Sequence, residues 1–224
     1  MICGRTIAFT ILKDNLGHDN KPCLPILFFS VPRTASTAIS QYLVAHLEGI
    51  QQGKKHSSYQ QFLSSATSEE RLYFTFAGVR HPMDSAVSEY LKKRHDHNGK
   101  FSRGHLKNGR PIHPEAMERY RYLQQKDVSF SDYFLKFHTK PYGLGFHEQT
   151  LRHMDHIIRY EHLDTDFERA LSKVGITSGY PPLGRVNPTR KKATEYLAFY
   201  TPEAVERARE IFGFFMNQYG YHIP

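Results

Sequence analysis

Cysteine is scarce in this chain, long apolar runs are absent and acids are outnumbered, and each shortage removes a class of protein. The two cysteines, Cys3 and Cys23, have one possible pairing, across an N-terminal hairpin. As free thiols they suit a reduced compartment, which is the reading we adopt. No segment is apolar and long enough to span a membrane, and Met1-Ile2-Cys3-Gly4-Arg5 has no hydrophobic signal core. These absences give a cytoplasmic expectation. Lys and Arg number 30 against 22 Asp and Glu, a formal charge of +8 with a pI near 9.4. That balance suits an anionic partner: a nucleotide, an acidic polysaccharide or a nucleic acid. With 224 residues the chain buries one sizeable core and is short for two, so a single domain over 1–224 is expected.

Glycine is missing where a nucleotide hydrolase would need it. None lies between Pro25 and Ile39, so the pattern GxxxxGK[ST] is absent. What stands there is Ile26-Leu27-Phe28-Phe29, a continuous apolar run that reads as a strand buried on both faces. A polar turn comes next, and then Ile39, Leu43, Leu47 and Ile50 recur as one stripe of a helix. The first N–H groups of such a helix have no internal partner and point over the turn. With the helix dipole, the fixed charge of Arg33 and the hydroxyls of Ser30, Thr34, Ser36 and Thr37, the turn is an anion site, most naturally for phosphate.

The same strand–turn–helix rhythm returns. Leu72–Val79 reads as a second buried strand ending in Arg80-His81-Pro82, and Pro82 suits the first turn of a helix over Met83–Lys93. His156–Tyr160 reads as a third strand, followed by a helix through Phe167, Leu171 and Val174 that Gly175 closes. Thr6–Leu12 alternates like a half-buried edge strand. Gln51–Ser58 is polar and leads into a short helix capped by Ser57 or Ser58. Helices are expected over Glu115–Lys126, after a Ser131 cap, and after Thr201-Pro202, the last with Val205, Ala208, Phe212, Phe215 and Tyr219 inward. Lys92–Arg110 holds seven Lys or Arg, one acid and three glycines, so it is expected to be an exposed, mobile basic lip outside the core. The histidines His95, His97, His105 and His113 match no zinc spacing, and no metal is expected.

Val31-Pro32-Arg33-Thr34-Ala35-Ser36-Thr37 resembles the 5′-phosphosulfate loop of the sulfotransferases, which use 3′-phosphoadenosine 5′-phosphosulfate (PAPS). The form is nearest to the carbohydrate sulfotransferases, where it reads roughly V-P-K-T-[AG]-S/G-T. Val79-Arg80-His81-Pro82-Met83-Asp84-Ser85-Ala86-Val87-Ser88-Glu89-Tyr90 is similar to the family's 3′-phosphate motif, V-R-[ND]-P-x-[DE]-R-x-x-S-x-Y. Lys55-His56-Ser57-Ser58 resembles a K-H-x-x segment, and Arg159-Tyr160-Glu161-His162-Leu163 a structural one. The basic stretch Asn187–Lys192, with Arg190, is similar to one before the family's last helix.

The resemblance, from about Ile26 to Tyr221, implies a three-layer αβα fold with a central, mainly parallel sheet and a P-loop-like strand–loop–helix; the βαβ rhythm asks for the same class. It implies in-line transfer of a sulfuryl group from PAPS to an acceptor hydroxyl, leaving adenosine 3′,5′-bisphosphate (PAP). Arg33, Thr34, Ala35, Ser36 and Thr37 would hold the 5′ end, and Arg80, Ser88 and Arg190 the rest of the nucleotide. Arg33 stands where lysine is usual and would act by charge alone, since arginine stays protonated. His56 would be the base. The acceptor is expected to be a glycan, anionic or neutral, with no nucleic-acid partner; oligomeric state stays open. A trimmed Golgi luminal domain is the alternative to a cytoplasmic enzyme. Two other readings compete. A P-loop small-molecule kinase should show the glycine–lysine loop and an acidic magnesium ligand at a strand end, and neither is visible. A basic module binding nucleic acid or another polyanion explains the charge but needs no phosphate motifs after buried strands.

Overall fold

The computed structural model describes residues 6–7, 9–12, 24–54, 56–106, 109–143, 146–177, 180–183 and 195–223. In chain order they form β1 (Thr6–Ile7), β2 (Phe9–Leu12), β3 (Ile26–Phe29), α1 (Ser36–His46), β4 (Ile50–Lys54), α2 (Tyr59–Leu63) and β5 (Phe74–Val79). Then come α3 (Pro82–Arg94), α4 (Lys100–Arg103), α5 (Pro114–Leu123) and α6 (Phe130–Phe137). The chain continues with α7 (Phe146–Leu151), β6 (His156–Arg159), α8 (Leu163–Lys173) and α9 (Pro202–Tyr219). Contacts gather into two compact units, Met1–Arg80 with Gly143–Pro188, and His81–Tyr142 with Thr189–Pro224. Among the described residues no helix is long and apolar enough to cross a membrane.

The first unit is a three-layer α/β arrangement around a six-stranded sheet of order β1-β4-β2-β3-β5-β6. β3 pairs parallel with β5, and β5 parallel with β6, while β2 runs antiparallel to both β3 and β4. The apolar runs of β3 and β5 follow from their position, since parallel strands are covered on both faces. On one face Ile26, Phe28, Phe76 and Ile158 pack with Ile39, Tyr42 and Leu43 of α1 and Phe167, Ala170 and Leu171 of α8. On the other, Phe29 meets the rings of Tyr59 and Phe62 in α2, each at 5.7 Å, and α7 packs on α2. Because β3, β5 and β6 are parallel, Ser30, Arg80 and Tyr160 each follow a strand at the same edge of the sheet. In open α/β sheets that carboxyl edge is where ligands bind.

The second unit is helical, with an aromatic core. Tyr90, Phe130, Tyr133, Phe134 and Phe212 are buried, and Tyr200 sits 4.7 Å from Phe130 and 5.2 Å from Phe134. Pro82 opens α3 and Pro202 opens α9, where the Thr201 hydroxyl accepts the Ala204 N–H at 3.3 Å. Phe215 is buried against Tyr142, with ring centroids 5.0 Å apart.

Four expectations are corrected. Thr6–Leu12 is two strands, and β2 is interior, hydrogen-bonded on both sides. Its second neighbour is β4, formed by residues read as a polar connection after the helix; Ile50 belongs to β4, 54% exposed, because Glu48 turns left-handed (φ 54°) after α1. Ser129, rather than Ser131, caps α6, in a reciprocal box with Asp132, while the buried Ser131 hydroxyl donates to the Phe199 carbonyl and accepts the Thr201 N–H. The basic lip has a packed anchor: Phe101 is 4% exposed and stacks on Tyr120 at 5.2 Å, and Lys93 is buried in an ion pair with Glu89. The composition of the lip hid one well-placed ring.

His138, just after α6, lies on Phe134 at 4.7 Å, and its buried Nε2 has no hydrogen-bond partner among the described residues. Burial, and then the charges of Arg119 and Lys93 against the opposing pull of Glu89, push its pKa from 6.5 down to about 4. A ring that binds its proton more weakly folded than unfolded favours the fold fully above 6.5 and progressively less below it. Stability should therefore fall by about 3 kcal/mol on this account between neutral pH and the folded pKa. Denaturant titrations of His138→Phe should show that stretch of the pH curve flattened; a curve parallel to wild type would exclude His138 as the source.

Candidate active site

The turn after β3 is built without glycine yet is left-handed at two residues. Arg33 has φ 69° and Ala35 φ 59°, with Thr34 between them at negative φ. Alternation of this kind turns successive N–H groups toward one concavity, a backbone nest for an anion. α1 then begins with no side-chain cap and no acid in its first turn, which leaves its dipole end facing the nest. Two contacts hold the turn. The Thr34 hydroxyl donates to the Val31 carbonyl at 2.9 Å, and Arg80 Nη1 donates to the Arg33 carbonyl at 3.3 Å.

Gly78, in β5, sets how close the turn comes to the sheet. A Cβ there would meet the Thr34 Cβ and Oγ1 at 2.8 Å and the Thr34 carbonyl at 3.0 Å. Thr34 itself is 3% exposed and its hydroxyl is engaged with the turn, so only its N–H can serve a ligand. Ser36 is buried, Thr37 is exposed, and the Ser30 and Ser40 hydroxyls lie 3.4 Å apart beneath the loop.

His56 comes to the same place from the far end of β4. Its Nδ1 lies 2.8 Å from the carbonyl oxygen of Ser30, the first residue after β3. A carbonyl can only accept, so Nδ1 carries the hydrogen, and in the neutral ring Nε2 holds the lone pair. His56 has φ 71°, so a strained backbone holds this tether. Ser30, Arg33–Thr37, Arg80 and His56 are thus brought to one edge of one unit. Ser88 belongs to the second unit, on α3, and is 1% exposed. Arg190, with Asn187–Lys192, lies outside the described residues, as do Lys55, Cys3 and Cys23.

Sequence reasoning passed over three residues. Gly78 looked like any strand residue. Tyr160, read as part of a structural segment, has its ring 4.1 Å below the Arg80 guanidinium carbon. His147, on α7, feels the charge of His56, and burial first, then that charge, lowers its pKa to about 4, so it is neutral at ordinary pH. Only the strand-end position of Tyr160 gave a usable signal.

Nest, helix start, Arg33 and Arg80 are all donors or cations, a set that fits a phosphate or phosphosulfate group. Among the described residues no three His, Cys, Asp or Glu gather as metal ligands do. Residues 20–222 match the model of the Sulfotransferase family. The chain belongs to the sulfotransferase family. No curated protein and no solved structure matches it significantly. The match spans both units of this sulfotransferase, so the anion loop and the helical second unit belong to one family pattern.

Gly78→Ala should disturb the sulfotransferase at its loop. The added methyl overpacks Thr34, at a cost of about 1–3 kcal/mol. Thermal melts with and without inorganic phosphate, used as a generic anion, should show a lower apo midpoint and a disproportionately smaller phosphate-induced rise. A variant that melts and responds like wild type would show the close approach to be dispensable.

Proposed function

We propose that this sulfotransferase moves a sulfuryl group from PAPS to an acceptor hydroxyl of a carbohydrate, by in-line displacement, releasing PAP. The whole chain, 1–224, is taken as the catalytic domain. The observation that supports the reading best is the bond from His56 Nδ1 to the Ser30 carbonyl. It fixes a base, with its Nε2 as proton acceptor, to the residue where the anion loop begins.

The roles follow from chemistry. The N–H groups of residues 34–37 and the start of α1 take the 5′-phosphosulfate; Thr34 and Ala35 contribute backbone only. Arg33 stabilises negative charge on the leaving phosphate and donates no proton. His56 Nε2 takes the hydroxyl proton as the acceptor oxygen bonds to sulfur and the sulfur–phosphate oxygen bond breaks. His147, kept neutral, adds no second positive charge to that imidazole. Arg80 takes the 3′-phosphate. Ser88 and Arg190 keep nucleotide roles from the motifs alone. No step calls for a metal. The seven Lys and Arg of 92–110 favour an anionic glycan over a neutral one.

Calorimetric titration with PAP and adenosine 5′-monophosphate (AMP) tests the donor. A charge-assisted bond with a supporting hydroxyl should give roughly tens- to several-hundredfold preference for PAP. Equal binding would remove PAPS and return a kinase-like role. Arg33→Ala should slow turnover on the order of a hundredfold while Arg33→Lys keeps most of it. His56→Ala should abolish turnover with PAP affinity unchanged; an active His56→Ala enzyme would remove His56 as base.

A further inference from the structure

Tyr160 lies where a strand ends, beside the arginine that the proposed reaction assigns to the 3′-phosphate. β5 and β6 are parallel, and Val79 pairs with Arg159, so the next residue of each, Arg80 and Tyr160, are neighbours at the carboxyl edge. Tyr160 leaves the strand there, in the single helical turn Tyr160–His162, and is only partly buried, unlike Ile158 at 0% exposed. It is not core. Its ring face carries the Arg80 guanidinium, whose carbon is 4.1 Å from the ring centroid, and Arg80 is 7% exposed. From the side, the same guanidinium donates to the Arg33 carbonyl at 3.3 Å.

Arginine ends a long side chain with costly rotamer freedom, and its donors are useful only in the plane of the fork. A ring below and a carbonyl at the edge define that plane together. We infer that Tyr160 is a positioning residue: its ring face holds Arg80 in the plane where the guanidinium bonds the anion loop and meets the nucleotide's 3′-phosphate. The inference rests on the PAPS reading and extends it. The ring, and not the hydroxyl, does this, and the 3′-phosphate and the 5′-loop are coupled through one guanidinium. A donor without the 3′-phosphate would then leave the loop less firmly held as well as binding more weakly.

Titration of wild type, Tyr160→Phe and Tyr160→Leu with PAP and AMP decides it. Tyr160→Phe should keep the wild-type preference for PAP. Tyr160→Leu should lose about tenfold in PAP affinity and roughly threefold or less in AMP affinity, as expected for a partly desolvated cation–π contact. A Phe variant as weak as the Leu variant would give the role to the hydroxyl and overturn the inference. A Leu variant that keeps the full preference, or loses PAP and AMP by one factor, would overturn it too. Should Tyr160→Leu fail to fold, Tyr160→Met supplies the same reading, since it keeps the bulk and loses the ring face. It should reproduce the loss of preference, and a Met variant with wild-type preference would overturn the inference. Wild type without any PAP preference would sink the PAPS reading and this inference together, whereas intact preference with indifferent variants sinks the inference alone.

Discussion

Thr34 rests on Gly78 with no room for a methyl group between them, and the geometry of the anion loop hangs on that contact. It brings the turn down onto β5, one residue short of the strand's end. Arg80, two residues beyond Gly78, then reaches the Arg33 carbonyl. β3 delivers Ser30 alongside, and Ser30 supplies the carbonyl that fixes the His56 ring. A sheet register, one missing Cβ and two hydrogen bonds thus collect charge, backbone donors and an imidazole at one edge.

The collection is held against backbone preference. Arg33, Ala35 and His56 all sit at positive φ with side chains larger than hydrogen, at about 1–2 kcal/mol each by the steric argument for L-residues. Such residues persist where the surroundings over-determine them. Here the surroundings are visible: the Thr34 hydroxyl on the Val31 carbonyl, Arg80 on the Arg33 carbonyl, and His56 on the Ser30 carbonyl. Each strained residue adjoins or makes a bond that would be lost if it relaxed.

Much of this was legible in the sequence, because the strongest local signals coincide with the functional edge. The apolar runs of β3 and β5, the prolines that open α3 and α9, and the Thr201 cap follow from periodicity and terminus chemistry. The strand–turn–helix itself was legible from the buried run of β3 and the apolar stripe that follows, while its use as an anion site belongs to the proposal. β4 was not, since a sheet strand of Ile-Gln-Gln-Gly-Lys carries no apolar alternation and owes its existence to pairing with β2 and β1. Ser129 and Ser131 are hydroxyls on either side of Phe130, the first residue of α6, and only the reciprocal Asp132 separates cap from core. Phe101 was lost in a basic composition. His147 and Tyr160 depend on which residues face them across elements, and no spacing along the chain encodes that.

The glycine-free loop has a kinetic side. Its shape is fixed when the protein folds, by bonds within the loop and to the sheet, so on the proposed reading an arriving anion finds a formed seat and need not close one. Capture is then governed by diffusion and by the pull of a chain with net charge +8, and it should be fast and sensitive to ionic strength. A glycine-rich loop would reach the same shape with less strain, but would have more freedom to surrender at the moment of encounter.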